Sequence, residues 1–202
     1  MRNLQPAGQR DTATDSARGA RAEEDLRLLA RVRGRDCKAF EQLYRNYQPR
    51  LARFLMNLLR RPHLVEEVLD DTMMVMWNRP ESFAGRSALS TWLFSVAYRK
   101  AMKALRQECE PVQADGAEAV AGDGRSPEQS ADTLLLKEAL LTAIAKLSPD
   151  HRAVVDLTYF HEIGYREIAE IMDCPIETVK TRMFYARRHL KRELPGEFGD
   201  WI

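Results

Sequence analysis

The spacing of apolar residues constrains the fold of this chain more than any other feature. Apolar residues recur every three or four positions over Ala39–Leu59, over Leu64–Trp77 and over about Ser87–Leu105. The same spacing returns over Leu134–Leu147 and Asp150–Tyr159. Such intervals are typical of amphipathic helices, and no segment shows the sustained two-residue alternation of a half-buried strand. The sequence therefore predicts an all-α fold.

Prolines and a glycine mark the limits of these helices. Pro49 lies inside the first run, which therefore forms either one long, kinked helix or two short helices. Pro62, Pro80 and Gly85 separate the runs that follow.

The segment from Glu108 to Ala131 divides the chain in two. It contains two prolines, three glycines and six acidic residues against a single base, Arg125. This composition is typical of a flexible, acidic linker. We therefore expect two small helical domains joined by that linker, with these bounds: a disordered tail over 1–24, a first domain over 25–107, the linker over 108–131, a second domain over 132–195 and a tail over 196–202.

Several classes of protein are disfavoured by what the sequence lacks. No apolar run reaches the roughly 20 residues of a membrane span, and the first two dozen residues lack the apolar centre of a secretory signal, so we expect a cytoplasmic protein that is not integral to a membrane. Cys37, Cys109 and Cys174 lie far apart, which favours buried, reduced thiols over a disulfide framework or a zinc finger. Catalytic motifs are also missing, so we expect no enzyme, no metal and no cofactor.

The segment YREIAEIMDCPIETVKTRMFYARRHL, residues 165–190, predicts a helix-turn-helix. Its first part is a short amphipathic helix, Asp173 and Cys174 form a turn, and Pro175 suits the first position of a second helix. Between Ile176 and Arg192, six Lys and Arg residues stand against one acid, Glu177. A basic segment at one end of a nearly neutral chain indicates a polyanionic partner.

The second helix of this motif has two distinct faces. Apolar side chains share one face, which we expect to be buried: Val179, Met183, Ala186 and Leu190. Thr181, Phe184, Tyr185 and Arg188 lie opposite, flanked by Lys180 and Arg182. A helix that enters the major groove accounts for aromatic and basic residues on a solvent face. The alternative is a basic terminal helix that only closes a helical bundle.

The chain resembles the extracytoplasmic-function group of bacterial sigma factors over roughly Lys38–Leu194. The stretch from LSPDHRAVVDL to ARRHLKREL is similar to region 4 of that family. In the first half, AFEQLYRNY, VEEVLDDTMMVMW and FAGRSALSTWLFSVAYRKAMKALR are similar, in order, to the opening helix, the polymerase-binding helix and the promoter-melting segment of region 2. The resemblance implies a protein that directs RNA polymerase to promoters.

For the −35 promoter element, the resemblance implies contacts from the helix-turn-helix. The residues implied in contacts with bases or nearby backbone are Thr178, Lys180, Thr181, Phe184 and Tyr185. Phosphate contacts are implied for Arg182, Arg187 and Arg188, and further backbone contacts for Tyr165 and Arg166. His151, Arg152 and His161 are weaker candidates for phosphate contacts, because isolated histidines on helices are more often structural.

For the −10 element, the resemblance implies a base-capturing loop over 83–88 followed by a DNA-contacting helix. Single-stranded bases need aromatic platforms and basic side chains, and this segment supplies aromatic Phe83, Phe94 and Tyr98. The polar and basic candidates are Arg86, Ser87, Arg99, Lys100, Lys103 and Arg106. Trp77, Trp92 and Leu93 are expected in the core. Arg99 and the Ala84-Gly85-Arg86 loop depart from the family pattern.

The helix VEEVLDDTMMVMW is predicted to bind polymerase with its acidic face. Val65, Val68, Leu69, Thr72 and Met76 share the opposite, inward face. The candidate polymerase-binding residues are Glu67, Asp70, Asp71 and Met74, which suit a basic helical surface. On its own this pattern favours an ordinary solvated acidic stripe, and only the resemblance to the family favours a polymerase contact. The resemblance implies three partners: core RNA polymerase, promoter DNA and an anti-sigma factor. Polymerase would be bound through the clamp coiled coil of its largest subunit and through its beta flap. In some family members the anti-sigma factor holds the protein at the inner membrane face.

Two other functions stay open on the residues alone. A free-standing helix-turn-helix regulator would bind duplex DNA tightly without polymerase. A decoy that occupies an anti-sigma partner would bind that partner and open no promoter. The sigma-factor hypothesis predicts weak DNA binding by the isolated protein and strict dependence on core polymerase.

Overall fold

A computed structural model describes residues 11–109 and 139–194 of the protein. The described helices of the first half are α1 (Asp11–Arg33), α2 (Cys37–Leu59), α3 (Pro62–Asn78) and α4 (Leu89–Cys109), with a short 3-10 helix at Pro80–Ser82. No strand occurs within the described ranges. The predicted all-α fold is confirmed.

Local signals set the limits of α2. The carboxylate of Asp36 accepts hydrogen bonds from the backbone N–H groups of Lys38 and Ala39, which caps the start of the helix. Arg60 adopts a left-handed conformation with φ 58° and ends it. Pro49 lies within the helix without ending it, so the first of the two sequence alternatives, one long helix, is correct.

The second described half is smaller. Residues 139–145 are helical and are labelled α5, followed by α6 (Pro149–Tyr159), α7 (Tyr165–Met172) and α8 (Ile176–Glu193). Ser148 accepts a hydrogen bond from the N–H of His151 and caps α6. Most of the predicted linker, and the predicted tail over 196–202, lie outside the described residues.

Two expectations from the sequence are wrong in this part of the structure. A disordered tail was predicted to residue 24, but α1 already begins at Asp11. Residues 11–24 are mostly small or charged, so they carry no helical spacing of large apolar side chains by which the helix could be found. The thiol of Cys37 is exposed rather than buried, and that of Cys174 is half-buried.

The two halves of the chain pack against each other. Helix α2 packs on α3 and α4 and also on α6 of the second half, while α4 packs against α7. The buried side chains of both halves form one continuous apolar cluster, in which Leu58, Phe94, Val154 and Ile168 are almost completely inaccessible. The sequence predicted two domains but not this contact between them.

Arg152 is a buried link between the halves. Its guanidinium donates to the backbone carbonyl of Leu58 at the end of α2 and to those of Ala145 and Leu147 at the end of α5, each at 2.9 Å. The negative ends of two helix dipoles therefore meet one cation. Because only 9% of Arg152 is exposed, it is a structural residue and not the phosphate contact considered from the sequence.

Candidate nucleic-acid and polymerase interfaces

Helices α7 and α8 form the predicted helix-turn-helix. Ile168, Ile171 and Met172 of α7 are buried, and Asp173 makes the turn in a left-handed conformation with φ 51°. Pro175, predicted as the first residue of the second helix, is instead the N-cap residue of α8, which begins one position later at Ile176. The predicted inward face of α8 is confirmed, because its four apolar residues Val179, Met183, Ala186 and Leu190 are its buried residues.

The outer face of α8 presents two aromatic rings to solvent. Phe184 is 61% exposed and Tyr185 is 51% exposed. Their ring centroids lie 5.5 Å apart in an edge-to-face arrangement. Since exposed aromatic pairs lose hydrophobic stabilisation, a partner surface is the simplest reason for them.

The polar candidates on α8 are presented to different degrees. Lys180, Thr181, Arg187 and Arg188 are exposed, and Thr178 is half-buried. Lys180 pairs with Glu177 at 2.7 Å, an exposed contact that binding to a phosphate can replace at little cost. Arg187 is steadied by Tyr159, whose hydroxyl lies 2.8 Å from Nη2.

Arg182 differs from the other basic residues of α8. It is half-buried and donates hydrogen bonds to Asp150 of α6 and to Sγ of Cys174. In this arrangement of the chain its charge is matched inside the protein by Asp150, so a phosphate contact from Arg182 requires that pair to separate and stays a prediction. Tyr165 and Arg166, at the start of α7, are half-buried and exposed, respectively.

A shallow groove runs along the start of α8. It has a volume of about 260 Å³ and is lined by His151, Thr178, Thr181 and Tyr185, among others. Burial and the nearby Arg182 lower the pKa of His151. Its ring lies 3.0 Å from the hydroxyl of Ser148, so His151 takes part in the cap of α6 as the structural alternative predicts.

The candidates for the −10 element separate into an exposed and a buried set. Arg86, Arg99, Lys103 and Arg106 are exposed and lie on the loop or on α4, while Ser87 and Lys100 are half-buried. Gly85 in the loop has φ 71°, a conformation that glycine adopts with little strain. The basic charge predicted for this segment is therefore available to a ligand.

The aromatic candidates of this segment are in the core. Phe83 is 4% exposed and packs edge-to-face on Trp92, and its carbonyl accepts a hydrogen bond from Arg33. Phe94 is fully buried, and Tyr98 is 7% exposed. The prediction that these three rings form platforms for single-stranded bases is wrong for this structure, because the spacing alone did not show that they face inward.

Tyr98 makes a polar contact with the second half of the chain. Its hydroxyl donates to Oδ1 of Asp150 at 2.7 Å, and Asp150 also accepts from Arg182. Burial and the hydrogen bond to Asp150 raise the pKa of Tyr98, so the hydroxyl stays protonated and remains a donor. Sequence reasoning missed Asp150, because its role depends on a contact with a residue 52 positions earlier.

Helix α3 presents the predicted acidic face. Val65, Val68, Leu69, Thr72 and Met76 are buried, as expected from their spacing. Glu67, Asp70, Asp71 and Met74 are exposed, with Met74 at 45%. An exposed methionine beside carboxylates provides both apolar contact and charge for a basic partner.

A groove connects this acidic face to the basic face of α4. It has a volume of about 620 Å³ and is lined by residues of both helices, including Asp71, Met74, Trp92, Arg99 and Lys100. Asp71 pairs with Lys100 at 2.7 Å across it. Leu93 is buried as predicted, whereas Trp92 and Trp77 are half-buried and pack against the core. Arg79 and Ser82 also line the groove, and no motif in the sequence pointed to them.

Fold and sites together define a class: an all-helical protein with a helix-turn-helix in its second half and acidic and basic helical faces in its first. Among the described helices, none is long and apolar enough to cross a membrane. Within the same ranges, no group of His, Cys, Asp and Glu side chains is arranged to hold a metal ion.

Known families and proteins match this chain along most of its length. The model of sigma-70 region 2 matches residues 43–109, and that of sigma-70 region 4 matches residues 137–190. The ECF RNA polymerase sigma-E factor of Haemophilus influenzae is 31% identical over 84% of this chain and 95% of that protein. The ECF RNA polymerase sigma-E factor of Escherichia coli is 32% identical over 84% of this chain and 94% of that protein.

Solved structures agree with these matches. The sigma factor RpoE of Bartonella quintana, solved with the anti-sigma factor NepR, has a TM-score of 0.62 and 25% identity, and the match covers 77% of this chain and 96% of that one. CnrH, solved with the cytosolic domain of CnrY, has a TM-score of 0.61 and 21% identity, covering 84% and 96% of the two chains, and supports the fold. The protein belongs to the extracytoplasmic-function group of the sigma-70 family of RNA polymerase sigma factors.

Proposed function

We propose that this protein binds core RNA polymerase and directs it to specific promoters, where it recognises the −10 and −35 elements and helps melt the DNA. The observation that carries the proposal is the order of the matches, region 2 followed by region 4, each supplying the exposed faces that its task needs. The family does not consist of enzymes, so polymerase supplies the chemistry. Membership of the family also argues against a free-standing regulator.

The domain bounds follow from this division of tasks. We assign polymerase binding and −10 recognition to residues 25–107, and −35 recognition to residues 132–195. In the structure, the start of α1 precedes the first of these ranges. Residues 108–131 connect the two. In this scheme each domain contacts a different part of one promoter.

For region 4, we place the outer face of α8 in the major groove of the −35 element. Phe184 and Tyr185 offer apolar surface for thymine methyl groups, and Lys180 and Thr181 offer donors for base edges. Arg187 and Arg188 suit phosphates on either side. Thr178, Tyr165 and Arg166 lie at the two helix starts, from which side chains reach the backbone of the duplex. Arg182 joins this set once its contact with Asp150 is released.

For region 2, we assign two adjoining functions to α3 and α4. Glu67, Asp70, Asp71 and Met74 dock on a basic helical surface of polymerase, for which the clamp coiled coil of the largest subunit is our candidate. Arg86, Ser87, Arg99, Lys100, Lys103 and Arg106 face the −10 strand. With Phe83 in the core, the half-buried ring of Trp92 is our candidate for an aromatic contact, because it lines the same groove as Arg99 and Lys100.

We further propose control by an anti-sigma factor and a cytoplasmic site of action. The similar sigma factor RpoE of Bartonella quintana was solved in complex with the anti-sigma factor NepR. A beta flap contact through region 4 and tethering of the anti-sigma partner at the membrane belong to the same proposal. Because polymerase and promoter DNA are cytoplasmic, the protein acts there.

The test separates a sigma factor from a free-standing regulator. Mobility-shift titrations compare three samples on one set of upstream DNA fragments: the protein alone, core polymerase alone, and the two together. We expect a salt-resistant, fragment-specific complex only when both are present. Tight and specific binding by the protein alone, unchanged by polymerase, would contradict the proposal.

A further inference from the structure

The end of α1 contacts the segment that leads into the loop over 83–88, which we call the −10 loop. Arg33 donates a hydrogen bond of 3.2 Å from Nη2 to the backbone carbonyl of Phe83, the first residue of that loop. Arg35 donates one of 3.1 Å from Nη1 to the carbonyl of Trp77, near the end of α3. The two acceptors stand on either side of the 3-10 helix Pro80–Ser82. The arginine pair, Arg33 and Arg35, therefore holds both ends of this connection.

Two further interactions strengthen the contact made by Arg35. Its guanidinium carbon lies 5.5 Å from the ring centroid of Trp77, which is a cation–π contact. The carbonyl of Trp77 is also among the last of α3, where the helix dipole is negative and attracts a cation. Charge, ring and dipole thus all favour a cation at this position.

Helix α1 is fixed firmly enough to support the loop. Leu28, Leu29 and Val32 are almost completely buried in the core. The hydroxyl of Tyr47 in α2 donates to Oδ2 of Asp25, which is also buried. A helix that is packed into the core on one side moves little relative to its neighbours. The arginine pair therefore links a fixed helix to an irregular segment.

The −10 loop needs such support because of its own composition. The ring of Phe83 is buried against Trp92, but Ala84, Gly85 and Arg86 are exposed. Around Gly85 the space is open, since nothing lies within 4 Å of the position that a Cβ would take. Glycine also has more backbone freedom than other residues. The direction of the loop therefore depends on how its first residue is held.

We propose that the arginine pair positions the −10 loop: it holds the backbone on both sides of the 3-10 helix, so that Arg86 and Ser87 are presented to the DNA strand. Arg33 and Arg35 are positioning residues, which act through the loop and do not touch DNA. Their role in recognition rests on the proposed function, whereas the support of the loop by α1 does not. The proposal gives a task to α1, for which the sequence predicted none.

Hydrogen exchange of the full chain, followed residue by residue by NMR, tests the support itself. In Arg33→Ala the carbonyl of Phe83 loses its donor. The amides of Ser82 and Phe83 are hydrogen-bonded to the carbonyls of Arg79 and Pro80 within the supported segment. We expect these two amides to exchange about 10-fold faster than in wild type, because a hydrogen bond to a charged group shifts a local opening equilibrium by about that factor.

The second variant tests the other contact. In Arg35→Ala the carbonyl of Trp77 loses its donor, and the amide of Arg79, which donates to the carbonyl of Val75, reports on that end of the segment. We expect its exchange to be about 10-fold faster as well. Amides in the middle of α2 and α4 verify the fold and should exchange as in wild type in every variant.

Arg27→Ala is the matched control. Arg27 lies on the same helix, its side chain is 72% exposed, and its ion pairs are with Glu23 and Glu24 of α1. The variant removes the same charge without removing a contact to the loop, so exchange of the loop amides should not change. Arg33→Lys keeps the charge and one donor group, and it should recover part of the lost protection.

Promoter melting tests the role in recognition. The probe is a DNA fragment that core polymerase retains only together with the wild-type protein in the mobility-shift titration. Permanganate reactivity of its thymines measures melting. With Arg33→Ala we expect about 10-fold less melted DNA, while affinity for core polymerase stays unchanged because the acidic face of α3 is intact. The slope of log K against log salt should equal that of wild type, because no phosphate contact is removed.

Three outcomes would overturn the proposal. Unchanged exchange of the Ser82 and Phe83 amides in Arg33→Ala would mean that α1 does not support the loop. Faster exchange with wild-type melting would mean that the support has no part in recognition. A salt slope lower by about one unit would mean that Arg33 contacts a phosphate. If the wild-type protein retains no fragment, the proposed function fails, and the exchange experiment still decides whether α1 supports the loop.

Discussion

Replacing Arg152 with alanine should lower the free energy of unfolding by about 4 kcal/mol. The guanidinium donates three hydrogen bonds of 2.9 Å to backbone carbonyls at the ends of α2 and α5. Hydrogen bonds that involve a charged group contribute about 1.5–3 kcal/mol each. Part of this gain is offset, because burying the guanidinium costs several kcal/mol, the same desolvation that lowers the pKa of Arg152. The alanine variant buries no guanidinium and so has no such desolvation cost, but it leaves the three carbonyls without a hydrogen-bond donor.

Thermal unfolding followed by calorimetry measures the effect. For a chain of this size, 1 kcal/mol corresponds to about 2–4 °C, so we expect Tm to fall by about 12 °C. Arg53→Ala on the exposed side of α2 is the control and should change stability by less than about 0.5 kcal/mol. Arg152→Lys should recover only part of the loss, because an ammonium cannot match the fork of the guanidinium. The conversion above gives an expected fall in Tm of about 8–16 °C. A Tm of Arg152→Ala within about 2 °C of wild type would refute the reasoning.

The remaining predictions concern the proposed interfaces and the core. Charge reversal of Asp70 and Asp71 to lysine should weaken binding to core polymerase at least about 10-fold in a titration with labelled polymerase. Helix content should stay unchanged, because both side chains are exposed. An unchanged affinity would show that α3 is not part of the interface. Lys180→Ala and Arg188→Ala should each reduce the salt dependence of holoenzyme binding to promoter DNA by about one unit of slope in log K against log salt, and an unaltered slope would show that neither contacts phosphate. Phe83→Ala should lower the free energy of unfolding by about 3–5 kcal/mol, whereas a fully stable variant defective only in promoter melting would restore Phe83 as a base platform.

The helix faces were predictable from the sequence because they depend on local periodicity. A rotation of about 100° per residue fixes which side chains share a face. The buried stripe of α8 and the inward face of α3 follow directly from it, as does the exposure of Phe184, Tyr185 and Met74. The function was predicted from the two family motifs, which are similar to region 2 and region 4 and occur in that order.

What the sequence did not predict depends on contacts between distant parts of the chain. Phe83 and Tyr98 have the right chemistry for base stacking, and only their packing against Trp92 and beside Asp150 shows that they are buried. The sequence made Arg152 a candidate for a phosphate contact, but its partners are the carbonyl of Leu58, 94 residues earlier, and that of Leu147 in the preceding turn. The start of α1 was missed because residues 11–24 lack large apolar side chains at helical spacing.

Run-off transcription from a library of native upstream regions tests the central claim most directly. Purified core RNA polymerase is assayed with and without this protein, and the transcripts are sequenced to locate their start sites. If the protein is a sigma factor, specific transcripts appear only when both components are present, and their upstream regions share two elements. If no competent core polymerase yields a transcript while the protein alone binds duplex DNA tightly, the assignment of a sigma-factor function is contradicted.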